Sequence, residues 1–511
     1  MRYFLFILSF LTVFISCQKK EQQPPNIVLF FVDDMGWQDT SVPFWNQKTP
    51  LNERYHTPNM ERLAAMGVKF TNAYSTPVCS PTRVSLMTGM NAARHRVTNW
   101  TLQPDQQQPM ESNHPNLSFP EWNYNGIARS DTISHAALAT PLPQLLKDQG
   151  YYTIHVGKAH FGALGYPSEN PIHLGFDINI AGHAAGAPES YLGTENFGNG
   201  KPNKEVWAVP GLEEYHGKDI FLTQALTEKA LQAVSTPLRK KQPFFLYFAL
   251  YGVHTPLMAD TRFAHKYEGM GFPPEEIKYA SMVESMDNAL GNLLNFLEEK
   301  AIANQTVVLF MSDNGGLSAV ARGGEKHQHN APLKSGKGSI YEGGIRVPML
   351  ALWPGITKKN SIEDNPVIIE DFFPTLLDIA GVKSYQKLQA VDGQSFAPLL
   401  EGKLKEKNNR PLFWHYPNAW GPSGPGIGSY SAVRNGNWKL IYFHEKQELE
   451  LYNLSEDIGE NDNLAFKNPD QVKYLAQLLT DHLIHVNAQM PAYKETGKQV
   501  PWPVTVANAT E

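Results

Sequence analysis

The chain has 511 residues, 44 Lys+Arg against 50 Asp+Glu and a formal charge of −6; it is 42% hydrophobic and 18% charged. That balance excludes disorder and a basic nucleic-acid surface, and the length predicts more than one hydrophobic core. With 39 glycines and 37 prolines, long shaped loops are expected between the regular elements.

At the start, Arg2 precedes an apolar run over residues 3–15, then Ser16-Cys17 and the polar stretch QKKEQQPPN. This is the pattern of an export signal, and it is shorter than the ~20 apolar residues that cross a bilayer. Residues 1–16 are expected to be the signal peptide and 17–25 a polar tether lipidated at Cys17; the alternative is an ordinary cleaved signal with Cys17 discarded. The first reading places the protein in a bacterial cell envelope, as a periplasmic or outer-membrane lipoprotein that meets the membrane only through this anchor.

NIVLFFV (26–32) is apolar without alternation, as a strand covered on both faces should be, and TPNMERLAAMG follows with Thr57 as N-cap and Pro58 at the first helical position. The same reasoning predicts helix over 142–150, strand over 151–156, helix over 219–234 and strand over 244–250. A long helix over 275–300 and strands over 307–311 and 348–353 complete the set. The expected fold is α/β: a large, mostly parallel mixed sheet flanked by helices, forming a catalytic domain over 26–385. Residues 386–511 are expected to form a smaller α+β domain with an antiparallel sheet. There SAVRNGNWKLIYF reads as two strands meeting at Asn435-Gly436, ELELYNL as a third, and 470–487 as a closing helix.

Acidic residues gather at strand ends. The first strand runs into Asp33-Asp34 and the strand over 307–311 into Asp313-Asn314, where ligands of open parallel sheets sit. Either motif alone could be a turn or helix cap; together they offer the hard oxygens that suit Ca²⁺ or Mg²⁺. Cations are placed likewise: Lys158 and His160 in GKAHFG, His254 in YGVHTP, Lys337 in LKSGKGSIYEGG, and Arg83. On an acidic protein such a set favours a small anion.

Cys79, in CSPTRVSLMTG, is the only cysteine besides Cys17, so it has no partner if Cys17 is lipidated or removed. A buried core thiol is the plain alternative to a reactive or modified one. The stretch places Cys79 at or just before a helix N-terminus, where free N–H groups favour negative charge. The spacing C-x₃-R excludes the C-x₅-R phosphate loop, since Ser85 occupies that offset.

With VDDMGW, CSPTRVSLMTG, GKAHFG, VHTP, YASMVESMDNALG, SDNGG, GKGSIYEGGIRVP, VRNGNWKLI and LYNLSEDIGENDNLA in that order, the chain resembles the formylglycine-dependent, Cys-type sulfatases of the alkaline phosphatase superfamily. The resemblance spans nearly the whole mature chain. GKAHFG departs from the commoner aromatic and leucine form, and VHTP from a form beginning with proline, without touching the Lys or His. The resemblance implies a sulfuric ester hydrolase in which Cys79 becomes formylglycine, made by a formylglycine-generating or anaerobic sulfatase-maturing enzyme. It implies one divalent cation, usually Ca²⁺, on Asp33, Asp34, Asp313, Asn314 and the modified Cys79. Arg83 would hold the formylglycine, Lys158 and Lys337 the sulfate; His160 would act on the aldehyde hydrate, and His254 with Lys337 would serve the leaving oxygen. One hydroxyl of the hydrate attacks sulfur, and the second lets the adduct collapse and expel sulfate, which a plain serine could not do.

The implied substrate is a sulfated carbohydrate. His183, in FDINIAGHAAGAPESY, and His415 and Trp420, in FWHYPNAWGPSG, are candidate sugar contacts on long loops, with loop packing as the alternative. Two other functions fit the scaffold: a phosphodiesterase or phosphonate monoester hydrolase, and a lipid-anchored binding protein without activity.

Overall fold

Every residue of NIVLFFV is buried, which is why the run does not alternate. In the computed structural model, which describes residues 24–108, 111, 113–317, 329–404 and 409–509, this run forms β1 (Asn26–Val32) near the centre of an eight-stranded sheet. Its companions are β2 (Val68–Phe70), β3 (Tyr152–Gly157), β4 (Ile178–Ile180), β5 (Phe244–Ala249), β6 (Thr306–Ser312), β7 (Met349–Leu352) and β8 (Ser361–Glu363). Their spatial order is β8-β2-β7-β6-β1-β5-β3-β4. Only β7 runs against its neighbours, pairing antiparallel with β6 and β2; the other pairs are parallel.

Side chains of β1 alternate between two cores, Ile27, Leu29 and Phe31 entering one and Val28, Phe30 and Val32 the other. The first core is closed by α2 (Cys79–Thr88) and α3 (Leu142–Asp148). The second is closed by α1 (Pro58–Met66), α4 (Leu222–Lys240) and α5 (Pro274–Glu299). Helix α4 begins later than predicted and runs six residues further, because Pro237 is carried inside its last turn instead of ending it.

A second sheet, β9 (Leu412–Tyr416), β10 (Tyr430–Asn435), β11 (Trp438–Phe443) and β12 (Glu448–Asn453), is antiparallel throughout. Asn435 pairs with Trp438, so the hairpin turns on Gly436-Asn437, one residue later than expected. Strand β9 replaces part of an expected loop: Leu412, Trp414 and Tyr416 alternate into the first core, a pattern too short to stand out in sequence. Val433, Leu440 and Leu451 face the other way, against Leu475 and Leu479 of α6 (Pro469–His485), beside which lies the unforeseen α7 (Pro503–Ala509). The second sheet is thus sandwiched between the main body and a helix. The expected signal peptide and Cys17 anchor lie outside the described residues, and no helix among the described residues is long and apolar enough to cross a membrane.

A buried ionic clasp joins the second sheet to the loop that carries Lys337. Lys439 of β11 donates through Nζ to Ile340 O (2.8 Å) and meets Glu342 Oε1 (2.9 Å) and Glu460 Oε1 (2.8 Å), all three charged side chains being fully buried. Glu342 also accepts from the Tyr74 hydroxyl at 2.7 Å, and its backbone N–H donates to Glu460 Oε2 at 2.6 Å. Burial works against the charge on Glu342, but Lys439 and Arg346 outweigh it and hold the carboxyl low; burial pushes Glu460 up. Lys439→Met would strand Glu460 and leave Glu342 to Arg346, and is expected to cost about 3–5 kcal/mol of stability, read as a fall in Tm; a Tm equal to wild type would show that the clasp contributes nothing.

Candidate active site

The carboxyl ends of β1 and β6 lie side by side, because the two strands pair in register up to Val32 and Ser312. Beyond them the chain turns at Asp34 (φ +57), a left-handed conformation that aspartate tolerates, and the Asp34 N–H donates to Asp313 Oδ1 at 3.2 Å. Asn314 Nδ2 donates to Asp34 Oδ1 at 2.7 Å. Four expected ligands, Asp33, Asp34, Asp313 and Asn314, are thereby brought together and are fully buried. Asp33 Oδ1 and Asn314 Oδ1 are buried acceptors with no hydrogen-bond donor among the described residues. Burial, then Asp313 and Asp34 against Lys158 and Arg83, raises the Asp33 carboxyl to about 7.

Asp33, Asp34 and His254 place three ligand atoms within 4.8 Å of one another, a possible metal site. The sequence did not put His254 there. Asp313 lies beside that group, its Oδ2 accepting from Arg83 and its Oδ1 from the Asp34 amide.

Cys79 is the first residue of α2, whose ten residues are all buried. Val78 caps the helix without a side-chain bond, while Thr76 and Thr82 close the turn through their hydroxyls at 2.6 Å. The thiol is free and buried; burial raises its pKa, opposed by Lys158 and Lys337. One turn on, Arg83 is fully enclosed. Its Nη2 donates to Asp33 Oδ2 (3.0 Å) and Asp313 Oδ2 (2.8 Å), its Nε to Asp313 Oδ2 (3.1 Å), and its Nη1 to Lys158 O (2.9 Å) and the Tyr247 hydroxyl (3.3 Å). Burial opposes this charge, but Tyr247, Asp313 and Asp33 outweigh it and raise the pKa. Tyr247 was missed by sequence reading; its one signal is a hydroxyl within the strand FFLYFA.

The two lysines converge on the same acids. Gly157 ends β3 at φ +100, and an added Cβ would lie 1.8 Å from Ala249 O, so only glycine lets the chain turn there and lets Lys158 N donate to Ala249 O at 2.8 Å. Lys158 Nζ then pairs with Asp33 Oδ2, and Lys337 Nζ with Asp34 Oδ1 at 2.6 Å. Burial opposes the Lys337 charge, yet Asp34 prevails and raises its pKa. His160 Nε2 meets Thr101 O at 2.8 Å, which leaves Nδ1 without a partner among the described residues. His254 Nδ1 meets Thr255 O at 2.7 Å, and its Nε2 lies 3.7 Å from Asp34 Oδ2. Burial lowers His160 well below the usual value and His254 to about 3.

The three candidate sugar contacts divide. The His183 carbonyl accepts from His160 N at 3.2 Å, and its ring Nε2 is buried without a partner among the described residues, so it stands beside the site. Trp420 lies over Gly338, next to Lys337; an added Cβ at Gly338 would meet its ring at 2.0 Å. His415 is corrected. It sits inside β9, buried, with Nδ1 on Ser431 Oγ (2.8 Å) and Nε2 on Gln489 O (2.9 Å), so both nitrogens serve the fold and neither is offered to a ligand.

Comparison with known proteins gives a consistent picture. A family model described as Sulfatase matches residues 25–382, and one described as N-sulphoglucosamine sulphohydrolase, C-terminal, matches 336–489. A protein of Formosa agariphila named Sulfatase is 30% identical, over 95% of this chain and 93% of its own. Human N-acetylgalactosamine-6-sulfatase is 31% identical, over 92% of this chain and 87% of its own. A crystal structure of Ps i-CgsB in complex with k-i-k-neocarrahexaose is 28% identical with a TM-score of 0.71, over 90% of this chain and 93% of that one.

Arg83→Met would leave Asp33 and Asp313 facing each other without a guanidinium and is expected to destabilise the fold by about 3–5 kcal/mol. Arg83→Lys should not restore it, since an ammonium cannot reach both carboxylates, Tyr247 and a carbonyl at once. Thermal unfolding checks both, and an unchanged Tm for Arg83→Met would refute the dependence.

Proposed function

The chain belongs to the sulfatase family and is a sulfuric ester hydrolase, and from that premise we propose that it removes sulfate from sulfated carbohydrates by way of a formylglycine made from Cys79 and a divalent cation. The observation that carries this is the position of Cys79: a free thiol at the N-terminus of a buried helix, in the field of Lys158, Lys337, Asp33 and Asp313, one turn from an arginine locked to those acids. The carbohydrate reading is supported by the names of relatives, one an N-acetylgalactosamine-6-sulfatase and one crystallised with a neocarrahexaose.

Formylglycine at Cys79 would supply a nucleophile that can take sulfate and then release it. A cation, Ca²⁺ in this reading, would be held by Asp33, Asp34, Asp313 and Asn314, whose buried hard oxygens fit it, and would supply positive charge to the sulfuryl oxygens. The chain's own residues do the rest. Lys158 and Lys337 each have N–H bonds beyond the one given to an aspartate and offer them to the anionic ester. His160, tied through Nε2 to Thr101, accepts a proton at Nδ1. His254, fixed through its Nδ1–H to Thr255, would serve the leaving alcohol at Nε2 together with Lys337, whose ammonium carries the proton to be given. Arg83 keeps the acids and the start of α2 in register. His183 and Trp420 border the site where a sugar ring would lie. A separate maturation enzyme would read Cys79-Ser80-Pro81-Thr82-Arg83 before α2 is buried, because no enzyme reaches Cys79 in the fold.

Three experiments test this reading. Ion chromatography of wild-type reactions with sulfated mono- and disaccharides should show sulfate, while a phosphodiester should yield neither its alcohol nor its phosphate monoester; mass spectrometry of the Cys79 peptide should show the aldehyde mass, and a free thiol throughout a fully active preparation would sink it. Exhaustive chelation should abolish turnover and Ca²⁺ should restore it, with Asp313→Asn, which keeps an acceptor for Arg83, folded but inactive; full activity after chelation counts against the cation. We also propose envelope anchoring at Cys17, for which fatty-acid labelling should be lost in Cys17→Ala, and equal membrane association of the two proteins would refute it.

A further inference from the structure

At the same end of the large sheet, but at its β8-β2 edge, lies a cavity of about 420 Å³ lined by Trp37, Phe44, Trp45, Lys69, Arg346 and Arg434 among others. None of Cys79, Arg83, Lys158, His254 or Lys337 lines it. We propose that this cavity is a second saccharide-binding site, which holds a sulfated chain at a distance while the catalytic centre works on one of its esters. The inference rests on the carbohydrate reading above.

Charge comes first. Among the lining residues three cations face one carboxylate, Asp364. The cations are oriented mainly by rings and carbonyls, which fix a cation without neutralising it. Arg346 lies 4.5 Å from the Trp37 ring centre and donates to Thr71 O (2.9 Å) and Asn72 Oδ1 (2.5 Å). Arg434 lies 5.1 Å from the Tyr74 ring and donates to Gly436 O (3.0 Å). Lys69 stands 5.9 Å from the Phe44 ring, with Nζ on Pro43 O. Arg346 also touches Glu342 at 3.3 Å, and because Lys439 is shared between Glu342 and Glu460 that contact meets part of its charge, so the surplus rests on Lys69 and Arg434 against Asp364. A positive surplus in a cavity of an acidic protein favours an anionic ligand.

The rest of the lining selects the class of anion. Trp37 is wholly buried behind this lining, its ring carrying the Arg346 guanidinium, and so holds that cation in place. Trp45 is half-buried and offers a ring face, and Asn46 and Asn437 offer amides. Ring faces, amides and cations together match a ring that is apolar on its face, hydroxylated at its edge and sulfated. The volume is that of a small-ligand site.

Topology links the two sites. Because β7 is antiparallel to both β6 and β2, strands β2 and β8 run with β1, and Thr71, Asn72 and Asp364 follow strand ends at the same end of the sheet as Asp33 and Asp313. Trp37 is three residues beyond Asp34. The two sites thus belong to the same end of the sheet, where one chain of sugars would have to lie to meet both.

The test is affinity electrophoresis of the full chain in native gels containing carrageenan or chondroitin sulfate, with unsulfated agarose and polyglutamate as controls. Wild type should be retarded by a sulfated polysaccharide and by neither control. Trp45→Ala and Lys69→Gln should each weaken that retardation about tenfold and lower kcat/KM on the polymer similarly, while sulfate release from a sulfated monosaccharide stays within about twofold. The proposal is overturned if wild type migrates unretarded, if polyglutamate retards it equally, if both variants bind as wild type, or if small and polymeric substrates lose activity together. A wild type that is retarded yet releases no sulfate from any saccharide would refute the catalytic reading and leave the second site standing.

Discussion

The guanidinium of Arg83 is the contact on which the rest of the site depends. It is enclosed with no solvent, so its charge must be met inside the protein, and it is met by Asp33 from β1 and Asp313 from β6 while Tyr247 of β5 and the Lys158 carbonyl after β3 complete its bonds. One side chain thus ties four adjacent strands to the helix that starts with Cys79. Adjacent aspartates from two strands would repel in a buried space; the arginine and two lysines make their convergence affordable.

The second sheet takes part in this arrangement. One of its faces completes the first core, through Trp414, Tyr416, Ala432 and Ile441, so α2 is covered by residues from far along the chain. Lys439 reaches from β11 to Ile340 and Glu342 and pins the segment that brings Lys337 to Asp34. Trp420, on the loop after β9, closes over Gly338. The region beyond residue 386 therefore shapes the loop that carries Lys337 as well as bordering it.

Both sites lie at one end of the large sheet for a single topological reason. Parallel strands deliver their carboxyl ends to one edge, and loops freed there are the ones that can carry chemistry. The lone antiparallel strand, β7, separates the acid cluster at β1 and β6 from the aromatic and cationic cavity at β2 and β8 without reversing the direction of either pair.

What the sequence determined by itself was the long central elements and the chemistry at their ends. The unbroken apolar runs of β1, β5 and β6 read as strands buried on both faces, and the polar residues that follow them, Asp33-Asp34 and Asp313-Asn314 at once and His254 five residues on, had to lie beyond their ends. Motifs with fixed spacing, such as Cys79-x-Pro81-x-Arg83, carried the family resemblance because short-range geometry is written locally. Tertiary structure decided what depends on partners distant in sequence: that Arg83 would choose Asp313, 230 residues away, that Tyr247 would join it, and that His254 would stand with Asp33 and Asp34. It also placed His415 within the fold, because whether a histidine faces a ligand or a neighbouring strand depends on the pairing of β9 with β10, and a five-residue strand leaves too little periodicity in the sequence to show which side each residue takes.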